Sequence, residues 1–359
     1  MITISYLISI SLLVLPALDY FLGIRILPDA IPSGEKDEIS AVGGGGVSVI
    51  IACHNEKKNI EKKVRELLSQ IAQSSIATHE IIVVNDGSTD NSFKILQSLE
   101  KEEIIKLINI ESRKGKPNAI NEGVAASQYP ILIFSDVRQT MSDGAIKTLL
   151  SRFEDADVGA VSSQLELEGE TSPAREWMNR LKLKESNKGS TTGVCGALYA
   201  VKKEYLEELP EDTILDDLVI AMYVMKNRKR VIHEPNAIVF DVPFDEFYSG
   251  RRQGRITAGL IQLLRSHRGL LWRIGLVQLI FLYGQKYLKY TAPVLFGLSS
   301  VLALFSMEIA MWHYSATVVF VTVLTLANPL FVAQALRLTT SYMLQLLKLD
   351  KYNKVKWEK

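Results

Sequence analysis

The stretch Tyr129-Pro-Ile-Leu-Ile-Phe-Ser-Asp-Val-Arg-Gln139 decides the fold. Its consecutive apolar residues Ile131, Leu132, Ile133 and Phe134 suit a strand covered on both faces of a parallel or mixed sheet. In sheets of that kind ligands sit beyond the carboxyl ends of the strands, so Asp136 stands at the mouth of a site.

Upstream, strand, polar turn and helix repeat in that order. Val47–Ala52 reads as a buried strand and is followed by Cys53-His-Asn-Glu56 and a helix whose Ile60, Val64, Leu67, Leu68 and Ile71 recur at helical spacing. Glu80–Val84 is the next strand, Asn85-Asp-Gly-Ser-Thr-Asp90 its turn and Ser92–Glu100 its helix; Gly87 suits positive φ, and the Asp, Ser and Thr suit a helix N-cap. A third strand, Ile104–Ile110, runs into Arg113-Lys-Gly-Lys-Pro-Asn-Ala-Ile-Asn121. This order predicts a parallel α/β core with right-handed crossovers. Taken singly, each turn has an ordinary reading as a loop or a helix start. Converging on one sheet edge, they supply carboxylates for a base and a ribose and cations for a diphosphate.

The 359 residues leave room for a large domain with accessories. With 41 Lys+Arg against 40 Asp+Glu there is no global field to draw nucleic acid, and no nucleic-acid partner is expected. Cys53 and Cys195 fit neither a disulfide framework nor a zinc spacing and read as reduced thiols facing the cytosol. Ile2–Leu27 is almost wholly apolar and long enough to cross a bilayer. No Lys or Arg precedes Arg25, so an uncleaved anchor with its N-terminus outside is expected rather than a signal peptide. Residues 28–46, with the run Gly43–Gly46, have the composition of a flexible linker.

The series Val47–Glu56, Val83–Asp90, Arg113–Asn121 and Phe134–Thr140 resembles the nucleotide-sugar domain of the family 2 glycosyltransferases. Thr192-Gly-Val-Cys-Gly-Ala-Leu-Tyr-Ala-Val201, Thr213-Ile-Leu-Asp-Asp217 and Arg251-Arg-Gln-Gly-Arg255 resemble the acceptor-side motifs of its membrane-bound, cellulose- and hyaluronan-synthase-like branch. The resemblance implies a GT-A-type, Rossmann-like α/β domain. It implies that Ala52, Asn55 and Glu56 line the nucleotide base, that Asp86 accepts a hydrogen bond from it, and that Lys116 sits near base and diphosphate. Asp136 matches the first Asp of the family's Asp-X-Asp motif, facing the ribose and a metal-bound diphosphate. Asp217 falls on the general base that takes the proton of the acceptor hydroxyl, and Asp216 stands where relatives often carry Glu. Cys195, Gly196, Arg252 and Arg255 fall on the acceptor side.

Two positions depart from the family pattern. Arg138 stands at the third place of the Asp-X-Asp motif, where a guanidinium cannot ligate a cation but can pair a phosphate bidentately. Mg²⁺ or Mn²⁺ would then rest on Asp136 and the diphosphate oxygens. At the acceptor channel Arg252 and Ile256 replace the family's Gln and Trp while Arg255 is kept, which removes the usual stacking platform for a growing glycan.

From Glu246 the chain turns basic and amphipathic, with Ile256, Leu260, Leu263 and Leu264 on one helical face and Arg251, Arg252, Arg255, Arg265 and Arg268 supplying charge, as expected of a helix on an anionic leaflet. Ile274–Tyr283 is too short to span and belongs in the interface, whereas Tyr290–Met307 and Tyr314–Leu336 are long enough to cross. The expected organisation is an anchor at 1–27, a linker at 28–46, the catalytic domain at 47–245, interfacial helices at 246–287, two spans at 288–336 and a cytosolic tail at 337–359. The implied protein is a multi-pass enzyme of the cell (inner) membrane with its catalytic domain in the cytosol. It would move a sugar, with inversion, from a nucleotide-sugar, a UDP-sugar by resemblance, to a polysaccharide or lipid-linked acceptor. The alternatives are a polyprenyl-phosphate glycosyltransferase and a nucleotide-sugar-binding membrane scaffold without turnover.

Overall fold

The computed structural model describes residues 45–287 apart from 75, 170–172 and 243–245. The expected anchor, most of the linker, both later spans and the tail lie outside the described residues. Among the described residues no helix is long and apolar enough to cross a membrane. Among the described residues, one compact unit takes in residues 45–252 and Gln262–Gly275, and the other Gln253–Ile261 and residues 276–287.

In the first unit β1 (Val47–Cys53), α1 (Ile60–Gln73), β2 (His79–Asp86), α2 (Ser92–Lys101), β3 (Lys106–Ile110), α3 (Lys116–Ala126) and β4 (Ile131–Ser135) follow in strict alternation. The short β5 (Thr140–Met141), α4 (Ala145–Ser151), β6 (Val158–Leu167), α5 (Pro173–Asn187), β7 (Leu198–Lys202), α6 (Asp216–Lys226) and β8 (Arg230–Asp241) complete it. The sheet order is β3-β2-β1-β4-β7-β6-β8-β5. The strands from β3 to β4 are parallel, as the sequence predicts, but β7 pairs antiparallel with both β4 and β6, so the sheet is mixed.

The strands divide their side chains by the period of two. Val47, Val49, Ile51, Ile81, Val83, Ile131 and Ile133 share a buried cluster with Ile60, Val64, Leu67, Ile71, Leu96 and Leu99 of α1 and α2. Ile82 and Val84 face the other way and pack with Ala119 of α3. Helices therefore cover both faces, which is why these strands read as continuous apolar runs. Helix α3 lies close on its face: a Cβ at Gly123 would stand 2.5 Å from Ile50 Cγ2, so a residue without a side chain sets the helix's depth.

His233, on β8, is buried as a structural residue; burial first and Lys182 next push its pKa down to about 3. In the second unit, Tyr287 donates its hydroxyl to the Leu260 carbonyl at 2.8 Å.

Candidate active site

Three parallel strands end side by side, and the residues just past their ends meet. β2 ends on Asp86, not on Val84, so the carboxylate sits inside the strand rather than in the turn. It is buried, and it accepts the backbone N–H groups of Lys114 at 2.7 Å and Gly115 at 2.8 Å. Gly115, at φ +104°, lets the chain turn from that clamp directly into α3, whose first residue is Lys116. One carboxylate thereby fixes where the lysine starts.

The Lys116 ammonium lies 3.0 Å from Asp136 Oδ1 and 3.3 Å from Asp216 Oδ2. Asp136 follows β4 directly and is held by its own N–H, donated to the Ala197 carbonyl at 3.0 Å. Asp216 opens α6, where an acid also suits the positive end of the helix. Burial works against the lysine's charge, yet Asp136 and Asp216, with a further contribution from Asp217, outweigh it and raise its pKa. For Asp216 burial is the largest influence and raises its pKa, against the pull of Lys116 and with the help of Asp217 and Asp136. The result is a lysine with its pKa raised, flanked by carboxylates, one of which has its own pKa raised by burial.

Asp217, half-buried beside Asp216, accepts the Leu218 N–H at 2.9 Å. Its Oδ2 lies 3.8 Å from where a Gly196 Cβ would be, so the glycine leaves that side of the carboxylate uncrowded. Small residues at Gly193 and Gly196 read either as tight packing or as room for another molecule; the neighbours there are Leu218 and Asp217 of the same chain, which fits the packing. Cys195 is buried and donates its N–H to Ser162 Oγ at 2.8 Å. Glu185, which carries no signal in the sequence beyond its place on a helix, accepts the Thr192 N–H at 3.1 Å and so shapes the approach to this loop.

On the other flank Asn55 has φ 55°, a conformation Asn tolerates better than most residues, and its Oδ1 accepts the Thr89 N–H at 2.8 Å. It thus clasps the turn after β2. Ala52 is half-buried on β1, opposite Val84. Glu56 is buried and takes Arg138 Nε at 2.9 Å and Asn59 Nδ2 at 3.1 Å. Sequence reasoning sends Glu56 to the base and Arg138 to the phosphate; the structure ties them to each other. A guanidinium held through Nε still presents its terminal amino groups. Arg252 belongs to the same unit as these residues, while Arg255 falls in the other.

No group of three or more His, Cys, Asp or Glu able to hold a metal ion occurs among the described residues. Asp136 is engaged by an ammonium and the neighbouring motif position is a cation, so these residues do not form a metal site by themselves.

Residues 48–210 match the family described as Glycosyl transferase family 2. They are a family 2 glycosyltransferase domain. The glycosyltransferase domain's relatives include the poly-beta-1,6-N-acetyl-D-glucosamine synthase of Staphylococcus epidermidis, 24% identical over 205 residues, 54% of this chain and 49% of the relative. The synthase of the same name from Staphylococcus aureus (strain COL) is 22% identical over 216 residues, 57% of this chain and 52% of the relative. The chain spans about half the length of the curated relatives it matches. Among solved structures, a mannosyltransferase from Pyrobaculum calidifontis in complex with GDP-Man and Mn²⁺ has TM-score 0.65 at 20% identity, covering 97% of this chain and 99% of that one. That likeness supports the GT-A-type α/β fold.

Proposed function

We propose that this protein transfers a sugar, with inversion, from a nucleotide-sugar, a UDP-sugar first among them, to a polysaccharide or lipid-linked acceptor at the cytosolic face of the cell membrane. The observation that carries the reading is the Lys116 ammonium pinned between Asp136 and Asp216 at the strand ends of a glycosyltransferase domain, with Asp217 beside it. The acceptor hydroxyl attacks the anomeric carbon and gives its proton to Asp217; the bond from that carbon to the diphosphate oxygen breaks, and the nucleoside diphosphate leaves with the electron pair. Lys116 and Arg138 are the cations that receive the charge developing on the diphosphate. No step is assigned to a metal ion.

The membrane reading is supported by composition and by one surface. Trp272 is 84% exposed, Leu264 is exposed as well, and Arg265, Arg268 and Arg273 are exposed near them in sequence. An exposed indole among arginines suits the interface of an anionic leaflet. The polysaccharide named for the staphylococcal relatives makes a glycan acceptor the first to try.

Radiolabelled sugar transfer by the purified full chain in lipid, with donors chosen by their thermal stabilisation of the protein, tests the reading. Transfer from at least one donor is expected; binding without transfer across donors and acceptors would leave a scaffold instead.

Two substitutions examine the donor half. Asp86→Ala removes the acceptor of two backbone N–H groups, so the loop carrying Lys116 loosens; affinity for the nucleotide falls, and stability drops by about 1–3 kcal/mol. Calorimetry that returns wild-type affinity from folded Asp86→Ala protein would remove Asp86 from the donor site. Arg138→Asp restores a carboxylate where the family has one and releases Glu56 from its pair. Wild type is expected to keep nucleotide-sugar binding in chelator while Arg138→Asp gains a requirement for Mn²⁺ or Mg²⁺. Identical metal dependence in the two proteins would show that the arginine does not replace a cation.

A further inference from the structure

The Tyr199 hydroxyl is buried and has no hydrogen-bond partner among the described residues. A phenol left in that state destabilises the fold relative to phenylalanine, so a position that only filled space would be better served by the ring alone. The ring itself is used: Tyr199 lies in register with Phe134 across β7 and β4, and the rings stack with centroids 4.9 Å apart. The residues leading into β7 touch the charged cluster at both of its ends. The Ala197 carbonyl takes the Asp136 N–H at 3.0 Å, and Gly196 faces the Asp217 carboxylate. In the same cluster Asp216 Oδ2 is buried and accepts no hydrogen bond among the described residues, its charge partner there being the Lys116 ammonium 3.3 Å away. Burial, then Asp216, Asp217 and Asp136, push the phenol's pKa up, so Tyr199 stays an O–H donor.

We propose that Tyr199 is a positioning residue whose hydroxyl takes over Asp216 when Lys116 turns to the diphosphate of a bound donor. The proposal rests on the glycosyl-transfer reading above, in which a nucleoside diphosphate reaches Lys116. An arriving diphosphate carries more charge than either carboxylate and competes for the ammonium. Asp216, left alone, is a buried charge without a partner, which is strongly unfavourable. An O–H donated to a carboxylate is among the stronger hydrogen bonds, and Tyr199 is a donor kept in reserve for it. That hydrogen bond forms when the donor binds, and it keeps the Asp216–Asp217 pair in place for transfer.

Tyr199→Phe deletes one oxygen and preserves the stacking on Phe134. Calorimetry on the full chain in lipid would use UDP and GDP as probes, with uridine and guanosine alongside, since a nucleoside brings no diphosphate to draw Lys116 away. The expected result is diphosphate affinity roughly 10- to 100-fold below wild type, with nucleoside binding unchanged. The thermal midpoint of the donor-free variant should be equal to or above that of wild type. Diphosphate affinity equal to wild type overturns the proposal and leaves the transfer reading standing. A lower donor-free midpoint also overturns it, because the hydroxyl would then be holding the fold. A wild type that binds no nucleoside diphosphate removes the transfer reading itself, and the Tyr199 role with it.

Discussion

Asp217→Asn is expected to transfer sugar about 10²- to 10⁴-fold more slowly than wild type while binding the donor equally well. An acceptor hydroxyl is a poor nucleophile until its proton is being removed, and Asn keeps the shape of Asp217 without the basicity. The structure separates the adjacent carboxylates by surroundings. Asp216 is buried against Lys116, whereas Asp217 is half-buried next to a glycine. Asp216→Asn should therefore cost less in turnover. Single-turnover transfer by both variants, with donor affinity measured in parallel, decides the assignment; near wild-type transfer by Asp217→Asn would mean that the base lies elsewhere.

Lys116→Met should damage both the donor site and the fold. Losing a charged partner for the diphosphate is expected to lower donor affinity roughly 10- to 100-fold. It also strands Asp216, and breaking such a pair costs about 3 kcal/mol, the lower end of the range because the lysine is 27% exposed. The loss depends on pH in a definite direction. Asp216 already has its folded-state pKa raised, by burial before anything else, and removing Lys116 takes away the main influence that lowers it. A carboxyl with a raised folded pKa binds more protons folded than unfolded between its two pKa values, so stability falls as pH rises through that window. Acidification should accordingly restore part of the stability of Lys116→Met. Denaturant titrations of variant and wild type at acidic and neutral pH check this, and a stability deficit that does not shrink on acidification would show that Asp216 is not the stranded charge.

The alternation from Val47 to Phe134 was legible because strands covered on both faces carry unbroken apolar runs and the helices between them keep one apolar stripe. The mixed half of the sheet was not, since nothing in Val158–Leu167 or Leu198–Lys202 states which way either strand runs. Lys116 and Asp136 do meet at one edge, with Asp86 holding the loop before Lys116, as convergent turns imply, while Asp216 comes to them from outside those turns. What the sequence left out is the wiring. That Asp86 grips a loop, or that Arg138 turns to Glu56, depends on contacts between residues far apart in the chain, for which a single sequence holds no signal. Tyr199 was hidden for another reason: in a strand of small and apolar residues an aromatic reads as packing, and only its unpartnered hydroxyl sets it apart.

The bare backbone at Gly123 has a reach beyond its own packing. Lys116 and Gly123 ride on one rigid helix, so the gap between helix and sheet at Ile50 is also the height at which the ammonium hovers over the carboxylates. Relatives that differ only in bulk at these two contact points would carry the same charged groups on a differently spaced chassis. Their preference among donors could then drift without any change to a residue that touches one.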